Sequence, residues 1–248
     1  MSLTDGLVGA WVPSLGPTAG ILLDRSAYSN HGTLTNMDPA TDWQNSGGWC
    51  LDFDGINDYV ATTLQTPKTA NRAFLCRVRY PGTLAFNQFD IAVSGGTAAI
   101  GKGVYCGFGT NSQWGSTGFG CSQYGDGFAV AGVNDSKWHT GVFQHVGNNW
   151  SIWVDGVQRA AKTMTTVPSA GGVVLGTSIT NDYYAGQIAE VMIFDRALSG
   201  AEILQLHQLG PGGWLKRRRR RVYSIASGVI VYGQRIPRHR TIIGGGLR

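Results

Sequence analysis

The stretch WHTGVFQHVGNNWSIWVDGVQRA, residues 138–160, indicates the fold class of this chain most clearly. Residues 138–146 and 150–154 alternate apolar and polar side chains on either side of a Gly-Asn-Asn turn, and an Asp-Gly pair leads into residues 157–160. Asp-Gly supplies two residues that tolerate a positive φ, which is typical of the type I′ turn of a β-hairpin. The stretch therefore predicts a three-stranded antiparallel meander.

Shorter strand signals lie on both sides of this meander. Residues 7–12, 73–80, 173–176 and 186–194 are apolar runs that predict further strands. Residues 50–60 alternate around another Asp-Gly pair, which predicts a half-buried hairpin. The 37 glycines and the 10% aromatic content suit many short strands joined by tight turns. The expected fold class is all-β.

One helix signal follows the last predicted strand. Ser199 and Glu202 have the spacing of a capping box, and Gly210 with Pro211 forms a helix stop. The apolar stripe between them consists of Ile203, Leu204, Leu206 and Leu209. The stop predicts a domain boundary, with a β-sandwich over residues 1–210 and a separate arm over residues 211–248.

The charge of the chain is divided unevenly at Leu215. The residues before the cut hold ten Lys/Arg and fifteen Asp/Glu, whereas the last 33 residues hold ten Lys/Arg and no acidic residue. Six cations are adjacent at residues 216–221, a density that favours an anionic partner. Two apolar runs, residues 222–226 and 229–232, follow them and predict a small β-hairpin that needs a surface to dock on.

Three interpretations of the arm remain open: nucleic-acid binding through phosphate neutralisation, a localisation signal, or a strand-forming anchor in a larger assembly. The anchor interpretation explains both the cations and the apolar runs, whereas a purely electrostatic tail does not require apolar strands. The predicted anchoring residues are Lys216, Arg217, Arg218, Arg219, Arg220, Arg221, Val229 and Val231.

The order of five motifs resembles a known family. They are GLVGAW (residues 6–11), DRSAYSNHG (24–32), LDFDGINDYV (51–60), SKWHTGVFQHV with WSIWVDGV (136–157), and GQIAEVMIFDRALSGAEI (186–203). Together they resemble the laminin-G-like, concanavalin A-like lectin/glucanase family, of the kind found in bacteriophage structural proteins. The resemblance covers nearly all of residues 6–209. It implies an antiparallel jelly-roll sandwich of two sheets with one short C-terminal helix.

The resemblance also implies a structural calcium ion where the early loop meets the last strands. Carboxylate and carbonyl oxygens are the ligands that calcium prefers, and the positions that correspond are Asp24, Asn30 and Glu190. An equally weighted alternative is that Asp24 and Asn30 cap turns while Glu190 pairs with an arginine.

A glycan site on such a sandwich uses an exposed aromatic ring and a few polar groups. Trp114, Tyr124, Tyr183 and Tyr184 lie among Gly, Ser, Asn and Asp residues in predicted loops, and they are the candidates. Core packing is the favoured interpretation for Trp11, Trp138 and Trp153. Residues 95–128, rich in glycine and aromatic residues, show no clear strand boundaries.

The sequence predicts no enzyme. Retaining glucanases on this fold use a Glu-x-Asp-x-Glu strand, which places a nucleophile and an acid about 5 Å apart. This chain has two glutamates: Glu190 has no second carboxylate at strand spacing, and Glu202 belongs to the helix cap. A glycoside hydrolase is the weakest of the alternatives, and it requires that replacing Glu190 abolish an activity without lowering the melting temperature.

The remaining features indicate where the protein acts. The N-terminus resembles no signal peptide, no apolar run reaches membrane-spanning length, and the four cysteines are expected to be buried free thiols. The leading hypothesis is a non-enzymatic virion accessory protein, a capsid decoration or fibre-type subunit made in the host cytoplasm. Its expected partners are other virion proteins and cell-surface glycans, and it is expected to be oligomeric there. The alternative is a free carbohydrate-binding or adhesion module.

Overall fold

A computed structural model describes the chain over residues 2–45, 47–81, 89–97, 102–109, 118–123, 125–165, 169–178, 180–216, 223–224 and 230–231. These residues form 18 strands, one α-helix and two 3-10 turns, Pro13–Leu15 and Gly213–Lys216. In chain order the regular elements are β1 (Leu7–Trp11), β2 (Ile21–Leu22), β3 (Gly32–Thr35), β4 (Trp43–Asn45), β5 (Trp49–Asp54), β6 (Tyr59–Gln65), β7 (Asn71–Arg79), β8 (Phe89–Gly95), β9 (Val104–Gly109), β10 (Gly118–Gln123), β11 (Asp126–Val130), β12 (Trp138–Val146), β13 (Asn149–Val154), β14 (Val157–Thr163), β15 (Gly172–Leu175), β16 (Ala185–Phe194), α1 (Gly200–Leu209), β17 (Tyr223–Ser224) and β18 (Ile230–Val231).

Two antiparallel sheets of eight strands make up the body of the protein. The first runs β14-β13-β12-β7-β16-β5-β4, with β1 paired to β16, and the second runs β11-β10-β9-β8-β15-β6-β3-β2. Neighbours in each sheet are often far apart in sequence, as in the jelly-roll connections of a sandwich. The predicted all-β, two-sheet architecture is confirmed.

The meander that predicted the fold is present as β12, β13 and β14. β12 pairs with β13 in an unbroken register from Gly141–Val154 to Val146–Asn149. At the second turn both Asp155 (φ 51°) and Gly156 (φ 84°) lie in the left-handed region, as a type I′ turn requires. A side chain at Gly156 would also contact Leu204 of the helix, because an added Cβ would lie 2.7 Å from Leu204 Cδ1.

The hairpin predicted over residues 50–60 is wrong. β5 pairs with β16 and β4 in the first sheet, whereas β6 pairs with β15 and β3 in the second. The loop between them crosses from one sheet to the other, and Asp54 stabilises it by accepting from the amides of Ile56 and Asn57 at 2.7 and 3.1 Å. Local alternation predicts that a strand is half buried, but it does not specify which strand pairs with it.

The main hydrophobic core lies between the two sheets. Phe74 and Phe143 of the first sheet stack with ring centroids 4.6 Å apart, and Phe108 and Phe119 of the second meet edge to face at 5.6 Å. A second apolar cluster covers the outer face of the first sheet, where Ile203 and Leu206 of α1 pack on Leu75 and other side chains. β7 is therefore buried on both faces.

The helix begins and ends as its sequence predicts. The Ser199 hydroxyl accepts from the amide of Glu202, and the Glu202 carboxylate accepts from the amide of Ser199, which completes the capping box. Gly210 ends the helix at φ 71°. Of the predicted apolar stripe, Ile203 and Leu206 are buried, whereas Leu204 and Leu209 are 41% and 37% exposed.

All four cysteines are buried free thiols. Cys106 and Cys121 are direct cross-strand neighbours on β9 and β10, and Cys76 Sγ of the opposite sheet lies 3.8 Å from Cys106 Sγ. Burial raises the pKa values of the Cys106 and Cys121 thiols well above the ordinary value.

The chain divides into two compact units, residues 1–215 and 216–248. The boundary predicted after Gly210 is therefore too early, because residues 211–215 belong with the sandwich and the Trp214 side chain is only 7% exposed. In the second unit β17 and β18 pair antiparallel, Tyr223 opposite Val231, in agreement with the predicted hairpin. None of the helices in the part of the chain that the structure describes has the length and apolar character needed to span a membrane.

Candidate functional site

A cleft of about 360 Å³ lies on the second sheet, beside the loop between β15 and β16. Phe89 and Ile91 of β8 and Tyr105 of β9 supply its apolar surface. Ile91 and Tyr105 form a small cluster of their own, separate from the core between the sheets, and Phe89 packs against it. These side chains are therefore on the outer face of the sheet.

Two glycines leave a depression in this outer face of the sheet. The register places Ile91, Gly107, Gly120 and Ala129 side by side across β8, β9, β10 and β11, so the two middle positions carry no side chain. Any other residue at Gly107 would be strained, because an added Cβ would lie 2.2 Å from the carbonyl oxygen of Asp90. The depression is a consequence of close backbone packing that only glycine allows.

Polar groups line the rest of the cleft. Ser122, Gln123 and Gly125 come from the end of β10 and the turn after it, and Thr180 and Asp182 come from the loop before β16. Gln123 is only 4% exposed, and its Oε1 atom has no hydrogen-bond partner among the described residues. An unpaired buried acceptor is costly, and a rotation of the Gln123 side chain toward the cleft would let Oε1 accept from a ligand hydroxyl.

Hydroxyl groups hold the Asp182 carboxylate in place. Ser178 Oγ and Thr180 Oγ1 donate to Asp182 Oδ2 at 2.6 and 2.7 Å, and the amide of Asp182 donates back to Ser178 Oγ at 3.1 Å. No described residue donates to the other oxygen, Oδ1. The cleft thus combines a fixed carboxylate and an unpaired amide oxygen with an aromatic and aliphatic surface.

The four predicted glycan residues fall in different places. Trp114 and Tyr124 lie outside the described residues, although Tyr124 stands in sequence between the cleft residues Gln123 and Gly125. Tyr183 is half-buried and directly follows Asp182.

The prediction is wrong for Tyr184, which is 0% exposed. Its ring lies 6.1 Å from that of Phe53, its hydroxyl donates to the Arg79 carbonyl, and burial raises its pKa well above the ordinary value.

Asp24 and Asn30 shape the early loop through hydrogen bonds. Asp24 Oδ1 accepts from the amides of Ala10 and Ser26, each at 2.8 Å, and Oδ2 accepts from the amide of Asn30 at 2.8 Å and from Ser26 Oγ at 2.7 Å. Asn30 Nδ2 donates to the Val8 carbonyl. Both carboxylate oxygens of Asp24 are thus engaged by donors, which is the capping role of the alternative interpretation.

Glu190 joins the sandwich to the residues that follow the helix. Its Oε1 atom accepts from Trp214 Nε1 at 2.7 Å and from the amide of Gly212 at 3.0 Å. Burial raises the pKa of the carboxyl group, and these two hydrogen bonds and the positive charge of Arg77 oppose that shift. Trp214 belongs to the apolar cluster beneath α1, so Glu190 is part of a structural contact.

The predicted calcium site gains no support from these contacts and stays a prediction. The oxygens of Asp24 and Oε1 of Glu190 already accept hydrogen bonds. The described residues also contain no group of three or more His, Cys, Asp or Glu side chains arranged to hold a metal ion. A calcium ion at this place would compete with these hydrogen bonds for the same oxygens.

The predicted anchoring residues fall mostly outside the described part of the chain. Arg217, Arg218, Arg219, Arg220, Arg221 and Val229 are not described, Lys216 ends the second 3-10 turn, and Val231 lies in β18. Their anchoring role stays a prediction.

A family model of the concanavalin A-like lectin/glucanases superfamily matches residues 54–204, more than half of the chain. The protein therefore belongs to this superfamily. No curated protein sequence matches the chain.

Solved structures agree on the fold. Domain 4 of AbnA, an extracellular arabinanase from Geobacillus stearothermophilus in complex with arabinotriose, is similar with a TM-score of 0.59 and 13% identity, over 82% of this chain and 98% of that one. Trypanosoma rangeli sialidase in complex with 2,3-difluoro-KDN is similar with a TM-score of 0.57 and 13% identity, over 82% of this chain and 32% of that one.

The binding domain of botulinum neurotoxin serotype D is similar with a TM-score of 0.56 and 12% identity, over 84% of this chain and 52% of that one. This chain thus spans about a third of the length of the sialidase chain and about half of the toxin domain. At these identities the likeness concerns the fold.

Proposed function

We propose that this protein is a carbohydrate-binding module and that its ligand occupies the cleft formed by β8, β9, β10 and the loop before β16. The observation that carries the proposal is the cleft's composition: an apolar surface that includes Phe89 and Tyr105, beside the unpaired Gln123 Oε1 and the fixed Asp182 carboxylate. Sugar rings present one apolar face to aromatic side chains and hydroxyl donors to acceptors. The arabinanase domain of the same fold was solved in complex with arabinotriose.

Binding without hydrolysis is part of the proposal. Glycoside hydrolysis generally uses a pair of carboxyl groups, and Asp182 is the one carboxylate among the lining residues that the structure describes. Glu190, the residue whose replacement would have to abolish the activity of a hydrolase, is 2% exposed and accepts a hydrogen bond from Trp214.

Replacing Phe89 with alanine tests the cleft. We expect Phe89→Ala to weaken glycan binding about tenfold, because an aromatic contact at the centre of a site contributes about 1.4 kcal/mol or more. Isothermal titration with the best binder from a glycan array measures the change. Tyr28→Ala is the matched control, since Tyr28 is 63% exposed and does not line the cleft. Equal affinity of the Phe89→Ala variant and the unmodified protein would contradict the assignment of this cleft.

A second proposal concerns the segment after Leu215, as an anchor that attaches the sandwich to a larger assembly such as a virus particle. It is supported by a separate compact unit over residues 216–248 that holds ten cations, no acidic residue and the β17–β18 pair. Such a small sheet is marginal by itself, so it gains stability by pairing with another protein.

Co-sedimentation tests the anchor. The full-length chain should sediment with particles purified from the cells that produce it, and the chain truncated after Leu215 should stay in the supernatant while its sandwich remains folded. Retention of both proteins on the particles would contradict the anchor. If neither protein sediments and the full-length chain binds DNA with a steep salt dependence, the nucleic-acid interpretation gains support.

A further inference from the structure

We infer that the cleft selects neutral saccharides over anionic ones. The inference rests on the proposed carbohydrate-binding function and adds the chemical class of its ligand. Its starting point is the charge of the lining residues that the structure describes, which include the Asp182 carboxylate and no Lys, Arg or His.

Asp182 is held in a fixed position, which strengthens the interaction of its negative charge with a ligand in the cleft. Two hydroxyl groups fix Oδ2, so Oδ1 is held in one place and does not have to be ordered when a ligand binds. A fixed carboxylate accepts short, strong hydrogen bonds from neutral hydroxyl groups. It repels a carboxylate or sulfate group at the same distance, and like charges brought together are a common source of specificity.

The second acceptor has the same preference. Gln123 Oε1 is buried and has no partner among the described residues, so a rotation of this side chain toward the cleft would give it a hydrogen bond from a ligand hydroxyl. An anionic group at this position has no hydrogen to offer and would leave Oε1 unpaired. Both acceptors therefore favour a ligand that brings donors.

The cations of the neighbouring segments do not reverse this preference. Lys162 Nζ lies 2.6 Å from Asp126 Oδ1 and donates to the Gly127 carbonyl at 2.9 Å, so its charge is paired beside the turn. Lys102 precedes β9 and is exposed, and it is not part of the lining. The volume of about 360 Å³ is at the lower end of the range for small-molecule sites, which suits a short segment of a glycan.

An array of neutral glycans and of the same glycans carrying sialic acid, uronate or sulfate tests the inference on the full-length protein. We expect each neutral glycan that binds to do so at least tenfold more tightly than its anionic counterpart. Asp182→Asn should weaken the neutral glycan about tenfold, because a charge-assisted hydrogen bond becomes an ordinary one. The same variant should lower the ratio of neutral to anionic affinity severalfold, and the preference that remains is the one that Gln123 provides.

Two further variants separate charge from shape. Gln123→Leu removes an acceptor without changing charge, so it should weaken neutral glycans and leave the repulsion of anionic ones in place. Asp5→Asn removes one negative charge from an exposed position outside the cleft and should change neither affinity nor ratio. Tighter binding of the anionic glycans, or an unchanged ratio in Asp182→Asn, would overturn the inference and leave carbohydrate binding intact. The absence of binding to every glycan would overturn the proposed function itself.

Discussion

Truncation after Gly210 should destabilise the sandwich by about 4 kcal/mol, whereas truncation after Leu215 should leave its stability unchanged. The shorter protein loses Trp214, and removal of a buried tryptophan side chain costs about 3–5 kcal/mol. It also leaves the buried carboxylate of Glu190 without the two donors that it has in the intact chain. Residues 211–215 behave as part of the domain although they follow the helix stop.

Thermal unfolding of the two truncated proteins beside the full-length chain measures this difference. For a domain of this size about 4 kcal/mol corresponds to a melting temperature lower by roughly 10 °C. Trp214→Ala in the full-length chain should reproduce most of the loss, because it removes the same ring and one of the same hydrogen bonds. Equal melting temperatures for the truncations after Gly210 and Leu215 would show that the Trp214 contact contributes nothing to folding.

Local features of the fold were predictable because short-range rules decide them. The type I′ turn at Asp155 and Gly156 needs two residues that accept a positive φ, and the helix cap needs a hydroxyl three residues before a glutamate. Both signals lie within a few residues. The connection between β5 and β6 was not predictable in this way, because each strand has one partner more than a hundred positions away, β16 for β5 and β15 for β6.

The cleft was only partly predictable for the same reason. Its residues come from β8, β9, β10 and a distant loop, and none of the stretches has a motif of its own. The sequence pattern was sufficient to exclude Tyr184 as a glycan-binding residue. Tyr184 continues the alternation that places Gly186 and Ile188 of β16 in the interior. Asp182, three residues before that strand, lines the cleft but carries no aromatic ring, so an aromatic pattern does not point to it.

The domain boundary shows how a tertiary contact overrides a local signal. Gly210 and Pro211 end the helix, and the sequence gives no sign that the chain continues to pack on the sheet. The contact depends on Glu190, which is part of β16 and lies 24 positions before Trp214. A glutamate within the apolar run of a central strand was the sequence feature that indicated this contact. Such a buried residue needs hydrogen-bond donors from another part of the chain.

Glu190→Ala should destabilise the fold by about 3 kcal/mol, and Glu190→Gln should cost less than about 1 kcal/mol. Alanine leaves the buried amide of Gly212 and the indole N–H of Trp214 without an acceptor, and each unpaired donor is costly. Glutamine keeps an oxygen that can accept from both groups. Urea unfolding of the three proteins gives the free energies, with Glu202→Ala as a control for the loss of a partly exposed glutamate that pairs with Arg196.

The pH dependence separates the charge of Glu190 from its hydrogen bonds. Since burial raises the pKa of Glu190 in the folded protein, the folded state binds more protons than the unfolded state between the two pKa values. The carboxyl group's contribution to stability is therefore greatest below its unfolded pKa, and it is lost as the pH rises through the folded pKa. Glutamine does not titrate. The free energy of unfolding of Glu190→Gln, taken relative to that of the unmodified protein, should therefore be highest at neutral pH and lowest near pH 4.

A chelator distinguishes the structural contact from the calcium ion that the sequence predicted. If Glu190 acts through Gly212 and Trp214, EDTA should leave the melting temperature of the full-length protein unchanged while Glu190→Ala lowers it. If EDTA lowers it as much as Glu190→Ala does, and added calcium restores it, then the ion contributes the stability that we assign to the hydrogen bonds. The contacts favour the first result, because Oε1 of Glu190 already accepts hydrogen bonds from Gly212 and Trp214, which belong to the same folded unit.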